Sequence, residues 1–277
     1  MIAPEEIILY KNVPCSDELL EQIKTIATYT QNTWQQNRGL DVKIKDTIIG
    51  KVAEYTLKNY ISNYSDFAIL DYDDFRIDNY KKHAPLDCII FNKQNRNLQV
   101  AIDAINTDAI NNRNGTMSND TKKFLKENNI FTMEIKSTRI TDRHKKNGIL
   151  DFQTILNDDF LAYPKFYRKI PNDIQVNSWD QYRNFCIGNN RIDSSVTLDK
   201  LKCIEFENMY DYYARVYVEQ INNNSFDIYI IGHISKQNFI KNSVIKHMPQ
   251  YNKSEQALYI ATAINNGLNI SLINIIK

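Results

Sequence analysis

Three residues in two short segments could form a reaction centre: Asp87 in Pro85-Leu86-Asp87, and Glu134 and Lys136 in Glu134-Ile135-Lys136. Side chains on a strand alternate between faces, so Glu134 and Lys136 would share one face while Met133 and Ile135 turn into the core. A hard, octahedral ion such as Mg2+ takes one or two carboxylates from a protein, its other positions going to waters and phosphate oxygens. An ion so held lowers the pKa of bound water and neutralises charge that grows on a phosphate during in-line attack. A lysine one strand step away can position that water or stabilise the developing charge. These residue types in this order predict Mg2+-assisted phosphodiester hydrolysis. Asp71, Asp73, Asp74, Asp78 and Asp103 are nearby substitutes for Asp87.

The elements that must position these groups can be read from periodicity. Residues 17–35 read as a helix with Leu19, Leu20, Ile23, Ile26 and Ala27 on one face, and 46–62 as a stronger one with Ile49, Val52, Ala53, Thr56, Leu57 and Tyr60 together. On that second helix Glu54 falls at the rim of the apolar stripe, where its carboxylate can reach the sheet edge, and Lys51 and Lys58 fall opposite the stripe. Residues 87–92 and 98–104 read as two strands joined by a polar turn at 93–97, a hairpin. Residues 105–117 are Asn-rich and weakly patterned, and Ser118 caps a short helix that runs through Lys126. The catalytic strand follows at 130–136. It leaves through a basic turn carrying Arg139, Arg143, Lys145 and Lys146, well placed to hold phosphates. Further on, 213–220 and 226–231 read as strands and 237–248 as a helical stretch. The pattern predicts an α/β fold, a central mixed β-sheet flanked by helices. It would form one domain over 1–277, with a catalytic core at about 40–170, an N-terminal helical extension and a C-terminal extension at about 171–277.

Composition limits the alternatives. With 43% apolar residues in 277, the chain can bury a full core. Its 34 basic and 33 acidic residues give no global positive field, so contact with nucleic acid must come from local patches. Cys15, Cys88, Cys186 and Cys203 lie far apart without a CxxC pair, which argues against zinc ribbons, clusters or a disulfide framework; they read as reduced core thiols. His83, His144, His233 and His247 show no ligand spacing. No Gly-rich phosphate loop appears, so no nucleotide cofactor is expected. The start of the chain lacks a basic leader and no apolar run approaches a membrane span, so a cytoplasmic protein without a membrane partner is expected.

The order of a helical glutamate (Glu54), Pro-Leu-Asp (Asp87) and Glu-Ile-Lys (Glu134, Lys136) resembles the PD-(D/E)xK nuclease superfamily, the restriction-endonuclease-like fold. The resemblance covers residues 46–140. The chain has Pro-Leu-Asp where the family pattern has Pro-Asp, and the 46 residues between Asp87 and Glu134 imply an insertion around 105–129. It implies a Mg2+-dependent endodeoxyribonuclease, with Mn2+ as a substitute, of restriction or anti-phage type. Asp87, Glu134 and the backbone carbonyl of Ile135 would be metal ligands, Glu54 an accessory ligand and Lys136 the catalytic lysine. Double-stranded DNA is the implied partner, contacted by Arg139, Arg143, Lys145 and Lys146; from polarity and position alone, the Asn- and Lys-rich segments around 92–97 and 106–126 are further candidates to face it. Cutting both strands takes two active sites, so a homodimer is expected. The reading from another class is a non-catalytic or activator-dependent nucleic-acid-binding module with the same fold.

Overall fold

A computed structural model of the chain describes residues 2–29, 39–80, 82, 84–112, 116–249 and 254–275. Up to residue 139 the elements are β1 (Ile8–Pro14), α1 (Asp17–Tyr29), α2 (Leu40–Tyr64), β2 (Phe67–Asp71), the one-turn α3 (Tyr72–Phe75), β3 (Cys88–Asn92), α4 (Leu98–Asn111), α5 (Asn119–Glu127) and β4 (Ile130–Arg139). Next come the hairpin β5 (Lys145–Lys146) and β6 (Ile149–Leu150), then α6 (Phe152–Leu156), β7 (Asp159–Ala162), β8 (Lys169–Pro171), α7 (Trp179–Gly188) and α8 (Leu198–Asn208). The chain continues through β9 (Tyr212–Asn222), β10 (Ser225–Ser235), α9 (Lys236–Lys241), β11 (Val244–Pro249) and β12 (Glu255–Ala263).

A mixed six-stranded sheet in the order β1-β10-β9-β4-β3-β2 organises the fold. Its pairings are antiparallel except that of β4 with β9, which runs parallel from Met133↔Tyr212 to Arg139↔Val218. The stretch 40–170 supplies three of these strands; β1 comes from before it, and β9 and β10 from beyond it. A second, antiparallel sheet has the order β11-β12-β7, with β8 also on β12. The chain is thus mixed α/β, with a large sheet flanked by helices, and among the described residues no helix is long and apolar enough to cross a membrane.

Alternation along the central strands assigns the two faces. Cys88, Ile90, Met133 and Ile135 lie in one core with α2, whose Val52, Ala53, Leu57 and Ile61 are fully buried. Each large apolar side chain there stabilises the fold by about 1.5–3 kcal/mol. The opposite face carries two separate layers. Ile89, Phe91 and Ile130 meet Ala101, Ile105 and Ala109 of α4 and Leu125 of α5. Farther along, Tyr213, Tyr217 and Ile231 meet Phe160, Leu258 and Ile260 of the second sheet and Trp179 and Tyr182 of α7. Thr132, Glu134 and Lys136 lie on that same face, between the two layers.

Several local expectations change. Residues 98–104 are not the second arm of a hairpin but the start of α4, and β3 pairs instead with β4. The apolar alternation over 98–104 is short enough to fit either period, whereas burial of Ala101, Ile105 and Ala109 follows helical spacing. The connection between the two carboxylates is therefore a helix pair, α4 and α5, with Ser118 capping α5 by accepting from the Thr121 amide at 3.2 Å. The stretch 237–248 divides into α9 and β11. Cys203 is exposed on α8, while the other three cysteines are buried thiols. Residues 30–35 of the expected first helix, His83, and 113–115 of the Asn-rich segment lie outside the described residues.

Candidate active site

Asp87 is held by the irregular chain that enters β3. Its carbonyl accepts from the Tyr72 amide at 2.8 Å, Leu86 before it is buried, and the Pro85 carbonyl accepts from the Tyr210 hydroxyl at 3.2 Å. Cys88 pairs with Met133, so one more antiparallel step would set Asp87 opposite Glu134, with side chains on one face. The ladder stops there instead. Asp87 Oδ2 accepts from the Ile135 amide at 3.2 Å, and β4 continues alone with β9. The amide and carbonyl of one strand residue face the same side, so the Ile135 carbonyl is also turned toward the gap where β3 and β4 part.

Glu134 is only 7% exposed and ion-pairs with Lys136. Burial raises its carboxyl above the ordinary glutamate value; Lys136 opposes this, and the negative charge of Asp87 adds to it. Burial lowers Lys136, but the charges of Glu134 and Asp87 outweigh it and leave the ammonium above its ordinary value. The second sheet closes the site from the other side. The Lys136 ammonium and the Arg168 guanidinium each lie 5.5 Å from the Tyr163 ring centre, and the Tyr163 hydroxyl is 3.0 Å from that of Tyr259.

Glu54 approaches from α2. Its carboxylate bonds Lys51 at 2.6 Å, and Lys51 also bonds Asp73 at 2.7 Å. Burial lifts Glu54 to about 7 against Lys51, and the charges of Asp87 and Asp71 push in the same direction as burial. Burial likewise lifts Asp71 to about 6, against Lys51 and Lys58. Lys51 thus does not sit opposite the packed face: residues three apart on a helix are neighbours, so it shares the side of Glu54. Lys58 ion-pairs with Asp74.

Most of the substitutes for Asp87 are engaged elsewhere, the exception being Asp71, whose charge acts on Glu54 and whose Oδ1 is buried without a hydrogen-bond partner. Asp73 and Asp78 bond Arg76 at 2.9 and 2.8 Å, and Asp103 accepts from Gln99 on α4 at 3.0 Å. Asp87, Glu134 and Lys136 are brought together, with Glu54 within electrostatic reach. The basic turn is not. Arg139 lies 3.8 Å from Asp46, the Arg143 Nε donates to His144 Nε2 at 3.2 Å, Lys145 pairs with Glu219 at 2.6 Å, and Lys146 is exposed.

Among the described residues no three His, Cys, Asp or Glu groups are gathered so that together they could cage a metal ion, and Glu54 is thus not a third ligand alongside Asp87 and Glu134. An ion of the Mg2+ type needs no such cage, since water and phosphate fill most of its shell. Asp87 and Glu134 are each tied through one named oxygen, Oδ2 and Oε1, which leaves Oδ1, Oε2 and the Ile135 carbonyl as a hard-oxygen donor set of the right kind.

Tyr163, Arg168, Tyr210 and Tyr259 carry no sequence signal, and Lys51, expected opposite the apolar stripe, stands beside Glu54 instead. Helical i,i+3 spacing could have found Lys51; the others arrive through long-range packing of β7, β12 and the α8–β9 connection. Searches of protein-family models, curated proteins and solved structures return no match to this chain.

Proposed function

We propose that the chain is a Mg2+-dependent endodeoxyribonuclease, with Mn2+ as a substitute, built on a restriction-endonuclease-like core and acting in restriction or anti-phage defence. One observation carries this reading: Asp87 bonds the Ile135 amide at the point where β3 and β4 part, beside Glu134 and its ion-paired Lys136. Asp87, Glu134 and the Ile135 carbonyl would hold the ion, with Glu54 as an accessory group. When bound, Mg2+ would supply an activated water and neutralise charge on the phosphate. Lys136, held above its ordinary pKa, stays cationic, so its part is to orient the nucleophile and stabilise charge rather than to remove a proton. The Tyr163 ring and Arg168 restrict where that ammonium can go. A homodimer would bring two such centres to the two strands of a duplex.

The test is cleavage of supercoiled plasmid and linear phage DNA by purified protein, with Mg2+, without it, and with Lys136→Ala. Discrete fragments lost in both controls support a site-specific nuclease, and smearing lost in both supports a nonspecific one. Undiminished cutting by Lys136→Ala sinks this active site. A wild type that binds DNA and leaves it intact supports the binding-module reading instead.

A further inference from the structure

The two layers on the Glu134 face of the sheet leave a groove of about 1350 Å³ between them. Its lining carries eight Lys and Arg side chains against three carboxylates, Asp73, Glu207 and Asp211, and of the eight Arg76 pairs with Asp73 and Asp78 and Lys123 with Glu127. In a chain of net charge +1 this is a concentrated local field. The cations come from unconnected elements on both walls: Lys122 and Lys126 of α5, Lys165 and Arg168 between β7 and β8, and Lys236 of α9. Lys236 is neutralised by Asp211 at 2.7 Å. Among the described residues, neither Lys122, Lys126 nor Lys165 has a carboxylate within 4 Å. Partial burial, then the like charges of Lys165 and Lys236, hold Lys122 below the ordinary lysine value, so these ammonium groups repel one another across the groove.

Phe206, with the Lys236 ammonium 5.1 Å from its ring centre, and Tyr210 line the same groove, and aromatic rings in such a channel can stack on bases. One end abuts the candidate active site. Thr132, one strand step from Glu134, lines the groove, as does Arg168, whose charge acts on Glu134. The basic turn lies elsewhere. Arg139 is seven residues along β4 from Thr132, about 23 Å at 3.3 Å per residue.

We propose that this groove is the path of a nucleic-acid strand, with Lys122, Lys126 and Lys165 gripping successive phosphates and Arg168 handing the backbone to the Asp87–Glu134 centre. The proposal rests on the hydrolase reading for its direction of travel. A concave channel with cations on opposite walls and aromatic rings suits a polyphosphate chain better than the flat surface of a membrane.

The experiment is fluorescence anisotropy of fluorescein-labelled single-stranded and duplex DNA oligonucleotides in EDTA, which blocks cleavage. Wild type is compared with Lys122→Glu/Lys165→Glu and with the turn variant Lys145→Glu/Lys146→Glu. The groove variant should lose about tenfold or more in affinity, and its slope of log K against log salt between about 50 and 200 mM should shrink by roughly two. The turn variant should stay within about twofold of wild type. If the charge reversal prevents folding, Lys122→Gln/Lys165→Gln, which keeps the apolar stems largely in place, is read the same way. Wild-type affinity in the groove variant, or no binding by wild type, overturns the proposal. Cleavage distinguishes the two readings: a groove variant that binds and cuts as wild type rejects the groove and leaves the hydrolase, whereas groove-dependent binding without cutting by wild type rejects the hydrolase and leaves the groove.

Discussion

The Asp87 carboxylate takes the place of a missing ladder partner for Ile135. Its Oδ2 accepts at 3.2 Å from an amide on a residue only 5% exposed, at the end of the β3–β4 pairing. One side chain therefore has two tasks, satisfying a buried donor and presenting an oxygen beside Glu134, and substitutions can separate them.

Asp87→Asn retains an acceptor oxygen for the Ile135 amide, so unfolding in urea should stay within about 1 kcal/mol of wild type. Asp87→Ala leaves that amide unsatisfied and should cost about 1–3 kcal/mol. If the chain is the proposed hydrolase, both should abolish Mg2+-dependent cleavage and remove the rise in melting temperature expected of wild type in millimolar Mg2+. Equal stabilities for the two variants would remove the structural task assigned to Oδ2.

Lys136→Ala leaves Glu134 buried without its cation. The cost should be about 1–3 kcal/mol at pH 8, less than for a fully buried pair because the Lys136 side chain is 30% exposed. It should be smaller at pH 5, where Glu134 can take up a proton. The sign follows from Glu134 already lying above its ordinary value and rising further once Lys136 is gone. Cleavage should fall by about two to three orders of magnitude, the scale of a lost charge-stabilising donor. Urea melts at the two pH values, together with single-turnover cleavage, measure both effects.

Glu54 and Asp71 set a pH dependence of stability in metal-free protein. Their native values, about 7 and about 6, exceed the ordinary 4.5 and 3.8, so between these limits the native state binds more protons than the unfolded chain. These two carboxyls contribute a fall in stability as pH rises from about 4 to 7, a negative slope that buried His233, held down to about 4, opposes. Glu54→Gln should flatten the upper part of that fall and Asp71→Asn the lower part, which denaturant midpoints in EDTA across the range would show. Variants whose pH profiles run parallel to that of wild type would contradict the burial of both carboxyls.

The parts of this architecture that the sequence made legible are those with a strong local period. The α2 stripe from Ile49 to Leu57, the Ser118 cap and the alternation Met133/Ile135 against Glu134/Lys136 each appear in the structure where the pattern put them. Residues 98–104 went the other way because seven residues carry too little period to separate a strand from the first turns of a helix; Ala109, beyond that window, is what shows the helical face. Glu54 came with a local clue, its place at the rim of a stripe, but its buried ion pair with Lys51 needed Asp73 from a separate element. Tyr163, Arg168 and Tyr259 had no local signal at all. They reach Lys136 only because β7 and β12 fold back onto the face that β4 shares with β9.

For the proposed hydrolase that fold-back predicts a kinetic effect at Tyr163. The ring has the Lys136 ammonium and the Arg168 guanidinium each 5.5 Å from its centre, and it stacks at 4.8 Å on Tyr259, to which its hydroxyl is hydrogen-bonded. Two cations drawn to one ring are kept close to Glu134. Tyr163→Phe preserves the ring and loses the hydroxyl bond, so its cleavage rate should stay within about threefold of wild type, under 1 kcal/mol. Tyr163→Ala removes the platform, worth about 1–2 kcal/mol, and should slow single-turnover cleavage by about 5- to 30-fold. Because the groove is lined without this ring, oligonucleotide affinity in EDTA should change far less than the rate. A variant whose affinity falls in step with its rate would place Tyr163 in strand binding rather than in positioning Lys136.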